Sequence, residues 1–211
     1  MQLFDISNIF IKILGYELSY LEFFAVLTGI ISVYLASLEK IVNFYIGVIN
    51  FALYFVFFYQ CRLYSMMTLQ LIYCMINIYG IYSWTKRSKI QGIVKISTLE
   101  NKQRIALFVI IFFVSAVWAY FVIHISAKFS QNIEKPAFPY IDALITVASV
   151  IAQILLTRKK IDNWAIWIAA DFSSVILFCV IGSYFTAVLY ACFCLIAIKA
   201  FVQWKKKIQH C

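Results

Sequence analysis

Seven apolar blocks of roughly 17 to 21 residues fill most of the chain, and a helix of that length crosses a hydrocarbon layer of about 30 Å. The blocks run over 20–37, 43–59, 66–84, 104–124, 140–157, 163–180 and 186–204. Backbone polar groups in a bilayer must be satisfied within the chain, so only helices or closed barrels can span it. The short alternating strands of a barrel are not seen in these blocks. Of the 211 residues 64% are apolar and 13% charged, against about half and a quarter in a soluble domain. The expected fold class is an all-α membrane protein with seven transmembrane helices.

Short loops join blocks one to two, two to three, five to six and six to seven, which makes those helices antiparallel neighbours. The expected organisation is an N-terminal segment 1–19, a three-helix segment 20–84 and a connection 85–103. A single helix 104–124, a connection 125–139, a second three-helix segment 140–204 and a tail 205–211 follow. The stretch EKPAFPY in the second connection carries both prolines, which stop a helix and set a turn. In residues 1–16, Leu3, Ile6, Phe10, Ile13 and Leu14 oppose Asp5, Asn8 and Lys12. That spacing predicts an amphipathic interfacial helix, and no basic region or cleavage site marks a signal peptide.

The net charge of +9 is unevenly distributed. Lys40, Lys86, Arg87, Lys89, Lys95, Lys102, Arg104, Arg158, Lys159, Lys160, Lys199 and Lys205 to Lys207 fall on one side of the seven spans. Only Lys12, Arg62, Lys128 and Lys135 fall on the other. The excess of basic residues in cytoplasmic loops predicts an outside N-terminus and a cytoplasmic C-terminus. This asymmetry accounts for the charge without a nucleic-acid partner.

Residues 20–84 align without a gap on 140–204. Tyr20 meets Tyr140, Lys40 meets Lys160, Asn43 meets Asn163, Tyr64 meets Tyr184, Cys74 meets Cys194 and Trp84 meets Trp204. Two three-helix repeats separated by one helix have the same orientation, so the expected architecture is two parallel repeats plus a linker helix. Transporters are built this way, with a site near the midplane.

Polar residues inside the spans are the candidate site. Asn43 and Asn50 lie on span two, Gln70, Tyr73 and Asn77 on span three, and Tyr190 on span seven. Span six carries Trp164, Trp167, Asp171 and Ser174 at helical spacing. Buried amides also join helix to helix, and Trp164 begins its span, where aromatic belts form, so each has a structural reading beside the ligand one. A carboxylate at the depth of Asp171 needs a partner, a cavity or a ligand. Indoles sandwich a flat ring and attract a cationic one. With no basic cluster in the spans, a phosphorylated ligand is not expected. Enzymatic motifs are absent: His124 and His210 lie at a span end and in the tail, and the sequence has no HExxH, GxSxG or phosphate-binding loop. Neither cofactor nor metal is expected. Alternatives of another class are a non-translocating ligand sensor or assembly subunit, and an intramembrane enzyme.

The stretch LASLEKIVNFYIGVINFALYFVFFYQCRLYSMMTLQLIYCMINIYGIYSW resembles the first repeat of the PnuC family of bacterial vitamin transporters. LLTRKKIDNWAIWIAAD resembles its second-repeat signature, Trp-x-x-Trp followed by Asn or Asp. The resemblance implies a SWEET-like fold of three plus one plus three helices, a homotrimer, and facilitated diffusion of nicotinamide riboside across the bacterial inner membrane. It also implies a cytoplasmic ribosylnicotinamide kinase that traps the product by phosphorylation. Relatives carry thiamine or riboflavin, which are the alternative substrates. Asp171 stands where many nicotinamide riboside carriers have Asn.

Overall fold

The computed structural model describes residues 5–13, 16–60, 64–91, 95–128, 138–182 and 184–209. They form strands β1 (Ile9–Ile13) and β2 (Tyr16–Ser19) and helices α1 (Tyr20–Ser37), α2 (Val42–Gln60) and α3 (Tyr64–Gln91). Helices α4 (Asn101–Lys128), α5 (Pro139–Thr157), α6 (Asp162–Ile181) and α7 (Tyr184–Gln209) follow. The chain divides into two compact units, Met1–Lys95 and Ile96–Cys211. On their described residues α1, α2, α4, α5, α6 and α7 are each long and apolar enough to cross a membrane.

The helix expected at the N-terminus is corrected. Residues 9–13 and 16–19 form an antiparallel hairpin in which Ile11 faces Leu18 and Ile13 faces Tyr16; Leu3 and Leu14 lie outside the described residues. Ile9, Ile11 and Ile13 alternate with Phe10 and Lys12, a period of two in β-branched residues that suits a strand. A cross-strand ion pair joins Lys12 to Glu17. Phe10 sits at the irregularity in the ladder, and its ring lies 4.9 Å from Tyr20 and 4.6 Å from Phe23. The sequence SYLE then starts α1: the Ser19 hydroxyl accepts from the Glu22 N–H at 3.1 Å, the N-terminal half of a capping box.

The two α–α corners share their closing hydrogen bonds. At the end of α1, Glu39 adopts φ 57°; at the end of α5, Lys159 adopts φ 52°. Glu39 N–H donates to the Ala36 carbonyl and Lys40 N–H to Leu35, each at 3.0 Å. Lys159 N–H donates to Leu156 at 2.9 Å and Lys160 N–H to Leu155 at 3.0 Å. Both corners are Schellman closures with a left-handed residue just past the helix. The Ser37 hydroxyl donates to the Tyr34 carbonyl at 2.6 Å and Thr157 to Ile154 at 2.7 Å. On the far side, Asn43 and Asn163 each donate a side-chain amide at 2.6 Å, to Lys40 and Lys160 respectively.

Below each corner lies an aromatic core. Phe44 of α2 meets Trp84 of α3 edge-on at 4.9 Å, and Trp164 of α6 meets Trp204 of α7 edge-on at 5.6 Å. Gly80 makes room in the first unit, since a Cβ there would lie 2.5 Å from the Phe44 ring. The second unit has Ala200 at the matching position, fully buried.

The second unit has two additions. Helix α4 packs on α5, so the expected linker helix belongs to this unit. The strand-like segment before α4 docks on the α5–α6 corner: Ser97 N–H donates to Lys159 at 3.1 Å and Ile161 N–H to Ser97 at 3.0 Å. Asp162 clamps it, accepting from Leu99 N–H at 2.8 Å and from Arg104 Nε at 2.7 Å.

Candidate functional site

Helix α6 packs between α5 and α7, and its 3.6-residue period places Trp164, Trp167, Asp171, Ser174 and Phe178 along one side. Trp164 is only 1% exposed. It lies in the aromatic core against Trp204, away from any belt position, and its indole N–H has no acceptor among the described residues. One turn further in, Trp167 is half-buried. Asp171 follows, 4% exposed, with no hydrogen bond or ion pair among the described residues. The buried Ser174 hydroxyl donates to the Ala170 carbonyl at 2.8 Å.

Helix α7 supplies the opposing wall. The Tyr190 ring stacks on Phe178 at 5.3 Å and 11° and meets Phe193 edge-on at 6.2 Å. The Cys194 thiol donates to the Ile168 carbonyl of α6 at 3.9 Å. The second unit thus gathers Trp167, Asp171, Ser174 and Tyr190 into one deep aromatic and acidic face. Phe178 was not among the expected site residues; its alignment with Phe58 was the available signal.

The amides of the first unit are differently engaged. Asn50 Nδ2 donates to the Ala25 carbonyl at 2.5 Å and to Thr28 Oγ1 at 3.2 Å, tying α2 to α1. Asn77 Nδ2 donates to the Tyr73 carbonyl at 2.9 Å. Its Oδ1 fills the space over Gly47, where a Cβ would meet it at 2.6 Å. Asn43 closes the corner, and its backbone carbonyl accepts from Ser32 Oγ at 2.9 Å. Gln70 is buried, and Tyr73 stacks on Phe51 at 5.2 Å. Thr28 and Ser32, which complete this network, were not anticipated.

The repeat separates scaffold from lining. Corners and aromatic cores match, whereas the midspan side chains do not: Gly47 aligns with Trp167, Phe51 with Asp171, Tyr54 with Ser174, and Gln70 with Tyr190. Two copies of one frame therefore carry different side chains at matching midspan positions. Elsewhere a groove between α4 and α5, lined by Phe112, Ser115, Ala116, Tyr140, Ile141 and Leu144, carries no charged group.

A bundle of apolar helices with a polar, aromatic midspan face defines a multi-pass membrane protein of the transporter class. The chain belongs to the family described as Nicotinamide mononucleotide transporter, which it matches over residues 19–206. It is 30% identical to the nicotinamide riboside transporter PnuC of Escherichia coli, across 97% of this chain and 94% of that one. A Neisseria mucosa protein of the same name is 26% identical over 77% of this chain and 60% of its own. The crystal structure of a vitamin B3 transporter PnuC superposes with a TM-score of 0.65 over 90% of this chain and 83% of that one, at 23% identity. That likeness shows the fold.

Proposed function

We propose that this protein carries nicotinamide riboside across the bacterial inner membrane by facilitated diffusion. The observation that carries the reading is the α6–α7 face. A half-buried indole, a buried carboxylate, a serine and a stacked tyrosine offer a ring platform and hydrogen-bond acceptors, with no Lys or Arg among the described residues paired to them. Phosphate recognition calls for cationic donors, so this face favours the riboside over the mononucleotide of the family's description. The name of the Escherichia coli relative supports the same substrate. In this reading Trp167 stacks on the pyridine ring, while Asp171, Ser174 and Tyr190 hydrogen-bond the ribose and carboxamide.

Cytoplasmic phosphorylation of the substrate by a ribosylnicotinamide kinase makes uptake one-way. The protein works as a homotrimer, with its N-terminus outside. The orientation is supported by Lys102, Arg104, Arg158 to Lys160 and Lys205 to Lys207, which cap the same end of the second unit.

Uptake of labelled nicotinamide riboside by proteoliposomes without nucleotide or ion gradient tests this. Equilibration with the medium, with weak competition by the mononucleotide, thiamine and riboflavin, is expected. Uptake that requires a proton gradient, or that prefers the mononucleotide, would overturn the reading.

A further inference from the structure

We infer that Asp171 makes the ligand face selective for the positively charged pyridinium form of the nucleoside over its uncharged dihydropyridine form. This rests on the functional reading above and adds the charge state of the recognised ring. Asp171 lies nine residues into α6, about 14 Å along the axis, and is 4% exposed. Helix α7 brings Tyr190 against Phe178 and Cys194 against Ile168, both on the helix that carries Asp171. Each is neutral, and no basic side chain among the described residues pairs with the carboxylate. Lys199, the basic residue nearest along α7, is exposed. A buried carboxylate without a partner is costly, and a cation brought by the ligand relieves that cost.

The architecture does not demand the charge. At the matching position of the first repeat stands Phe51, which stacks on Tyr73 at 5.2 Å. The same frame is therefore filled there by a neutral ring. A negative group in the second repeat alone is a feature of the lining, suited to a ligand that carries its own positive charge.

The oxidised and reduced ribosides share ribose and carboxamide and differ by one hydride on the ring, which makes them the discriminating probes. Both are titrated into purified protein under reducing, oxygen-free conditions. The unaltered protein is expected to prefer the cationic form by about tenfold or more, as for loss of a charged partner. In Asp171→Asn the preference should fall to about threefold or less, chiefly by weaker binding of the cation. Equal affinities in the unaltered protein would overturn the inference without any variant. A preference that survives in folded Asp171→Asn would assign it to ring stacking and overturn it equally. Failure of both ribosides to bind would instead remove the functional reading, and the inference with it.

Discussion

Asn43 and Asn163 each close an α–α corner with the same bond, a side-chain amide donated at 2.6 Å to the carbonyl three residues earlier. Both are buried. Replacement of either by Ala leaves that carbonyl without its side-chain donor and should destabilise its unit by about 1 kcal/mol. Thermal unfolding of the two detergent-purified variants should show similar decreases in midpoint. A large effect at one corner and none at the other would show that the corners are not energetically equivalent.

Gly80 is fixed by Phe44. Its replacement by Ala forces the Phe44 ring off its edge-on contact with Trp84, and overpacking of this kind costs about 1 to 3 kcal/mol. The converse change, Ala200→Gly, opens no clash and should cost only about 0.5 to 1 kcal/mol through helix entropy. Equal sensitivity at the two positions in thermal unfolding would contradict this asymmetry.

Trp164→Phe tests the role of that indole. The first repeat already builds its core with Phe44 at this position, and the change also deletes an N–H that has no acceptor among the described residues. The variant should fold, with a loss of about 1 kcal/mol or less as the cavity and the removed donor offset each other. Riboside affinity should be retained. A folded variant that no longer binds would move Trp164 from the core to the ligand site.

Asp162 holds the segment 97–99 against the α5–α6 corner. Asp162→Ala removes the acceptor of Leu99 N–H and the partner of Arg104, whose side chain is 48% exposed. Solvent screening limits the loss to about 1 to 2 kcal/mol. Trypsin should cut faster at Lys95, Lys102 or Arg104 in the variant. An unchanged digestion rate would mean that the Ser97 backbone bonds suffice.

The seven helices and the two matching corners were legible because they rest on composition and on polar pairs such as Lys40 with Lys160 and Asn43 with Asn163. Membership of the transporter family was legible in the Trp-x-x-Trp signature. The N-terminal hairpin was not, because in so short a segment Ile6, Phe10 and Ile13 fit a period of 3.6 while Ile9, Ile11 and Ile13 fit a period of two. At a span start Trp164 is open to a ligand reading and to a belt reading; its burial depends on Trp204, forty residues away. The clamp of Arg104 on Asp162 is equally non-local. The expected amides of the first repeat were visible as buried polar groups. Which of them bond to a neighbouring carbonyl, as Asn50 does to Ala25, depends on helix packing that a single sequence does not display.

Calorimetric titration of nicotinamide riboside into the purified protein, alongside Trp167→Ala and Asp171→Ala with unaltered size-exclusion profiles, tests the α6–α7 face most directly. Each replacement should weaken binding by about 1 to 3 kcal/mol, the range for losing a buried ring platform or acceptor. Unchanged affinity in both folded variants would contradict a ligand site on this face.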